Sequence, residues 1–209
     1  GDSVVEYGLT PSLGQVVSNP ALVEQHAVRL TGLAPYTRYH YRIRSGGQIL
    51  HGPNSFRTAA DGGQTAFHFA AYGDSRHYPE QHGQVIASML DASDDFDFAI
   101  HTGDFVNAGQ SLDEWWQFFR VAEPVLKDTP LWPTLGNHEW QNVLPWDQDP
   151  YIEIFSLPGN ERWYAFDYGH VHFVCLAVDG HTPYGPGSDQ YQWLVGDLAA
   201  NDKPWTIVF

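Results

Sequence analysis

Polar and apolar positions alternate at period two through the first third of the chain. "HYRIRS", residues 40 to 45, is the clearest case, and such alternation predicts a strand with one buried face. Four runs read this way: "SVVEYG" from residue 3, "HAVRL" from 26, "RYHYRIRSG" from 38 and "NSFRT" from 54. A small, polar, Gly-rich stretch, "TAADGGQTA" at 58 to 66, then separates two textures. Beyond it, short apolar runs alternate with segments of helical period. "FHFAAYGD", "FDFAIHTGD" and "PLWPTLGNH" read as strands. Pro79 opens a predicted helix with Val85, Ile86, Met89 and Leu90 on one face. Ser111 and Glu114 form a capping-box signature ahead of the aromatic helix "WWQFFRVAEPVL". "WYAFDYGHVHFVCLAV" predicts a hairpin turning near Tyr168 and Gly169. Ser188 caps a helix through Leu198, and "PWTIVF" supplies a last strand. Strand and helix in alternation predict an α/β domain with helices outside its sheet.

Composition narrows the function. The 209 residues suffice for one large domain or two small ones, with a core of useful size. Lys and Arg number 10 against 25 acids, a formal charge of -15. That charge excludes nucleic acid as a partner and disfavours anionic membrane surfaces. It is compatible with cation binding. No apolar stretch reaches the 18 residues that a membrane span needs. The single cysteine, Cys175, lies within "HFVCLAV" and reads as a small buried hydrophobe.

Within the first 60 residues, Leu33, Pro35 and Tyr39 stand at the spacing of a tyrosine corner, where a Tyr opening a sandwich strand bonds back to the preceding turn. The segment resembles the second half of a fibronectin type III domain. Such a domain takes roughly 100 residues, so residues 1–60 are expected to be a partial one. Residues 61–66 would be a linker, and 67–209 the second domain.

Three strands of that second domain end alike: Gly73-Asp74, Gly103-Asp104 and Gly136-Asn137-His138. Asp74 and Asp104 lie 30 residues apart, and Asp104 and Asn137 lie 33 apart, about one β-α unit each. Neighbouring parallel strands bring such ends into one crevice. Two carboxylates gathered there repel one another unless a cation neutralises them, and Asp and Asn oxygens suit hard or borderline divalent metals.

With "AYGDSR", "HTGDFVNAG" and "TLGNHEW" in this order, residues 67 to 209 resemble the calcineurin-like metallophosphoesterases, and within them the purple acid phosphatase branch. The resemblance implies an α/β metallophosphoesterase sandwich, central β-sheets flanked by helices, preceded by the partial all-β fibronectin type III-like sandwich. It implies a metal-dependent hydrolase of phosphate esters, a phosphomonoesterase or phosphodiesterase, using a dinuclear centre of divalent or trivalent ions (iron, manganese or zinc). Asp74 would bind the first metal, Asp104 would bridge, and Asn137 would bind the second. His138 would stay off the metals and serve as acid or phosphate contact. The substrate would be a small phosphate ester, and the location secreted, periplasmic or at the cell surface.

Two positions depart from the pattern. Many relatives carry Asp-x-His at the first motif, where this chain has Arg76. Purple acid phosphatases place a tyrosine three residues after the second Asp, where this chain has Asn107. Arg76 becomes a candidate bidentate contact to substrate phosphate, with His77 beside it. The family also completes its site with three later histidines, so the domain is expected to be C-terminally incomplete at Phe209. The "GHVH" at 169 to 172 is not expected to replace them. His172, His101 and His68 read as structural strand residues, and Trp115, Trp116, Phe118 and Phe119 as core. The alternative reading is a catalytically incomplete extracellular binding or interaction module.

Overall fold

The structure, a computed structural model, describes residues 1–64, 66–93, 95–140 and 150–209. The expected linker at 61–66 therefore contains one position, 65, outside the described residues.

Four strands form the first sheet: β1 (Ser3–Gly8), β2 (Gln15–Asn19), β3 (Arg38–Ser45) and β4 (Gln48–Arg57). They pair antiparallel in the order β2-β1-β3-β4, with Val5 opposite Ile43 and Tyr7 opposite Tyr41. The run at 26–30 is not a strand. Val28 and Leu30 are half-buried and line a groove with Val5, Tyr41, Ile43 and Phe56. The segment lies across the sheet instead of extending it, so its alternation reports burial and not pairing. Strand β2, which has only one half-buried position, takes the edge. Tyr39 is buried, and its hydroxyl accepts a hydrogen bond from the Ala34 N–H at 3.0 Å.

Among the described residues, six further strands and four helices follow. They are β5 (Phe69–Tyr72), α1 (Pro79–Ala92), β6 (Phe98–His101), α2 (Leu112–Leu126) and β7 (Leu131–Pro133). After them come α3 (Pro150–Ile154), β8 (Tyr164–Tyr168), β9 (Val171–Cys175), α4 (Asp189–Ala200) and β10 (Trp205–Val208). β5, β6 and β7 pair parallel in sequence order, which sets their C-terminal ends side by side. A second sheet of this body, β10-β9-β8, stacks on the β5-β6-β7 sheet.

Strand β6 is buried throughout because both its faces are covered. Phe98 and Ile100 meet Phe173 and Tyr168 of the second sheet, with Phe98 edge-on to Phe173 at 5.3 Å. His101, on the opposite face, stacks on Phe105 at 3.7 Å and meets Phe118 of α2. Strand β9 alternates in the same way. Phe173 packs inward, while His172 faces α4, its Nδ1 on Asp167 at 2.7 Å and its Nε2 on Asp197 at 2.8 Å. His172 is thus a structural pivot between strand and helix, and Cys175 is fully buried.

Two helix details differ from the sequence reading. The buried stripe of α1 is His82, Ile86 and Met89, spaced i, i+4, i+7, while Val85 and Leu90 face outward. At α2, Ser111 Oγ accepts from the Glu114 N–H, but the Glu114 carboxylate does not return to Ser111. It takes the N–H groups of Asn107 and Ala108 instead, at 2.6 and 3.2 Å, tying the helix start to the loop after β6. Trp115 and Phe118 are core as expected, whereas Trp116 is exposed.

The first sheet is joined to this body by polar contacts. Arg57 pairs with Asp97 at 2.7 Å and Asp95 at 2.8 Å, and Tyr41 donates to the Lys127 carbonyl at 2.7 Å. Among the described residues, no helix is long and apolar enough to cross a membrane.

Candidate metal centre

The tips of β5, β6 and β7 converge because the backbone there does what few residues allow. Asp74 and Asp104 both hold left-handed conformations, φ +55° and +58°, which Asp tolerates better than most side chains. Gly103 has φ +90°, and a Cβ there would come within 2.5 Å of the Gly136 nitrogen. Glycine therefore lets the β6 and β7 tips touch. The Asp74 N–H donates to the Gly103 carbonyl at 3.0 Å, which closes the β5 tip onto β6.

Arg76 joins the two carboxylates. Its Nη1 donates to Asp74 Oδ1 at 2.5 Å and also to Asp104 Oδ2. One nitrogen touching both places the oxygens within two hydrogen-bond lengths of each other, about 6 Å at most. Asp74, Asp104 and Asn137 line one open cleft of about 480 Å³, with Thr102, Thr134 and Phe209 among its other walls. The three predicted ligands thus share a cleft, Asp104 half-buried and Asp74 and Asn137 exposed.

His138 sits beside them. Its backbone N–H donates to Asp104 Oδ1 at 3.2 Å. Its ring Nδ1 lies 2.8 Å from the Asn107 carbonyl oxygen. A carbonyl only accepts, so Nδ1 carries the proton and Nε2 is the nitrogen turned to other partners. The His77 ring approaches edge-on, with centroids 6.2 Å apart. Asn107 therefore acts through its backbone, whatever its side chain replaces.

Glu139 was not singled out in the sequence, yet it organises the centre. It is 1% exposed. Oε2 accepts from the N–H of Asp104 at 2.9 Å and of Gly136 at 2.7 Å. Oε1 accepts from Phe105 at 2.8 Å and Val106 at 3.4 Å. Burial pushes its carboxyl up to about 7, against the pull of those N–H groups. One side chain thereby fastens the β6 loop to the β7 tip.

The donor set fits a cation. Two carboxylates and an amide face one cleft, and a cationic group already lies between the carboxylates. Among the described residues, no group of three or more His, Cys, Asp or Glu side chains is gathered for metal binding. His101 is buried on the helix side of β6, and its Nε2 lies 3.0 Å from Ser75 Oγ.

Residues 67–209 match the calcineurin-like phosphoesterase family. The chain belongs to that family. Over its whole length it is similar to purple acid phosphatases of Arabidopsis thaliana. It is 31% identical to purple acid phosphatase 22 over 231 residues, covering 99% of this chain and 50% of the relative. Against purple acid phosphatase 18 the identity is 29% over 237 residues, covering 99% and 49%. The chain thus spans about half the length of the curated relatives it matches. Its fold matches a purple acid phosphatase from yellow lupin (Lupinus luteus) seeds with a TM-score of 0.75 at 21% identity, over 99% of this chain and 45% of that one.

Proposed function

We propose that this chain carries the site of a metal-dependent hydrolase of phosphate esters, a phosphomonoesterase or phosphodiesterase. The observation that supports it best is the meeting of Asp74 and Asp104 on one cationic nitrogen in the cleft that Asn137 lines. In this reading Asp74 would hold a first cation, Asp104 would serve both, and Asn137 would hold a second. When bound, a pair of iron, manganese or zinc ions supplies Lewis acidity and an activated water. The Asn107 carbonyl holds the Nδ1–H of His138, so that Nε2 is turned toward the leaving-group oxygen and, as the imidazolium with a proton on both nitrogens, gives up its Nε2 proton to it. Arg76 and His77 bind the phosphoryl oxygens, the guanidinium as a fork. Glu139 keeps the β6 and β7 tips in place while these groups act.

Asp104→Asn tests the reading with p-nitrophenyl phosphate and bis(p-nitrophenyl) phosphate, in the presence of manganese, zinc or iron salts. Loss of hydrolysis of both esters is expected. Retained activity would move the chemistry elsewhere. The Arg76 bridge favours a second reading, a catalytically incomplete binding module, because the carboxylates already have a counter-charge. Metal content after dialysis separates the two: near two ions per chain for the hydrolase, well under one for the module.

Residues 1–60 fit a partial fibronectin type III-like domain and 67–209 the phosphoesterase domain. The Tyr39 bond to Ala34 and the start of the family match at residue 67 support this division. The substrate is a small phosphate ester and not nucleic acid, in keeping with a net charge of -15. A fibronectin-like neighbour favours a secreted, periplasmic or cell-surface location, which cell fractionation of the native protein checks.

A further inference from the structure

Arg76 holds a position between two carboxylates, on one oxygen of each. Its Nη1 reaches both Asp74 and Asp104. Its Nε is buried without a hydrogen-bond partner among the described residues, so the head is not held by a full set of acceptors. Its loop, by contrast, is held without the side chain: the Arg76 N–H donates to the Asp104 carbonyl at 3.2 Å. One of the two acceptors is also loosely set, the Asp74 side chain being 73% exposed. The guanidinium can therefore leave while the backbone stays, and a phosphate bound in the adjoining cleft lined by Asp74, Asp104 and Asn137 would offer it an anion.

We propose that Arg76 is a displaceable internal counter-cation, which occupies the Asp74–Asp104 pair when metal is absent and moves to the phosphoryl group when metal binds. The proposal rests on the metal-site reading above. It has a thermodynamic consequence. A metal ion binding alone must break the Arg76 contacts, whereas a metal binding with phosphate gives the guanidinium a new partner. Metal and phosphate therefore bind with positive coupling, and linkage makes that coupling reciprocal.

Calorimetric titration of the full chain with Mn²⁺ or Zn²⁺, with and without inorganic phosphate, tests this in wild type, Arg76→Gln and Arg76→Lys. Without phosphate, Arg76→Gln is expected to bind metal about tenfold more tightly than wild type, because two charge-assisted contacts no longer oppose it. Arg76→Lys keeps the charge without the fork and is expected to bind metal with an affinity between those of wild type and Arg76→Gln. Phosphate tightens metal binding more in wild type than in Arg76→Gln. Thermal unfolding after chelation gives a second readout: Arg76→Gln melts lower than wild type without metal, and added metal narrows the gap. Equal or weaker metal affinity in Arg76→Gln, or equal phosphate coupling in both proteins, overturns the proposal. Metal binding to none of the three proteins overturns the metal-site reading itself, and the counter-cation role with it.

Discussion

Replacing Glu139 by Gln asks how much of the centre depends on one buried carboxylate. The substitution keeps shape and volume. It keeps one of the two acceptor oxygens and turns the other into an NH₂ group. In wild type Oε1 serves Phe105 and Val106, and Oε2 serves Asp104 and Gly136. Whichever way the amide is placed, two backbone N–H groups face donors instead of an acceptor. An unsatisfied buried donor costs about 1–3 kcal/mol, so the gross loss is about 2–6 kcal/mol. An opposing effect is also present. Burial raises the Glu139 carboxyl to about 7, which means that the ion itself is held at a cost that a neutral amide avoids. That cost is about 3 kcal/mol, so a net loss of up to about 3 kcal/mol is expected. Urea unfolding of both proteins measures it. Amide hydrogen exchange locates it, with faster exchange expected at Asp104 and Gly136, or at Phe105 and Val106. A loss below about 0.5 kcal/mol, the range of an ordinary surface change, with unchanged protection at these amides, would refute the clamp.

Other consequences are as direct. Burial disfavours the His172 cation, but hydrogen bonds to Asp167 and Asp197 outweigh it and raise the folded value above the ordinary 6.5. Its contribution is thus full below about pH 6.5 and fades as pH rises through the folded value. The stability difference between wild type and His172→Gln, roughly 1 kcal/mol at pH 5.5, should shrink by pH 9 in urea titrations. Gly103→Ala meets both a left-handed backbone and the Gly136 nitrogen, whereas Gly180→Ala, at φ +83° with open space, meets the backbone penalty alone. Thermal melts should show about 1 kcal/mol for Gly180 and clearly more for Gly103. His138→Ala should lower phosphate-ester turnover by about 10²-fold with metal content nearly unchanged. A large loss of bound metal would make His138 a ligand.

The parts of this arrangement legible in the sequence were those written locally. A strand that ends in Gly-Asp or Gly-Asn announces its own corner, and three such ends at β-α spacing announce parallel neighbours. Strands β5, β6 and β7 follow that logic. The run at 26–30 misled because period two records which side chains are covered, and Val28 and Leu30 are covered without any strand partner. Val85 and Leu90 misled for a related reason. The true stripe of α1 runs through His82, a residue that sequence logic reserves for chemistry, but which here stacks on Phe118 at 5.1 Å. Glu139 and the backbone role of Asn107 are invisible to such rules, since both depend on which loops meet in space. A capping box is read from Ser111 and Glu114 alone, yet the loop above them decides where the glutamate points.

The same dependence on spatial neighbours explains why Arg76 matters more than its motif suggests. A histidine at that position would add a neutral donor to the cleft and leave the charge of the carboxylates intact. An arginine instead adds a fixed positive charge two residues from Asp74, on a loop whose backbone is already fastened to Asp104. The pair is thereby stabilised without metal, and its attraction for metal is weakened by the same contact. A site built this way gives up affinity for a lone cation and gains selectivity for a cation that arrives with an anion. In the proposed reading, phosphate then becomes part of what assembles the centre, and the three β-strand tips, the Glu139 clamp and the His138 ring are the frame within which that exchange takes place.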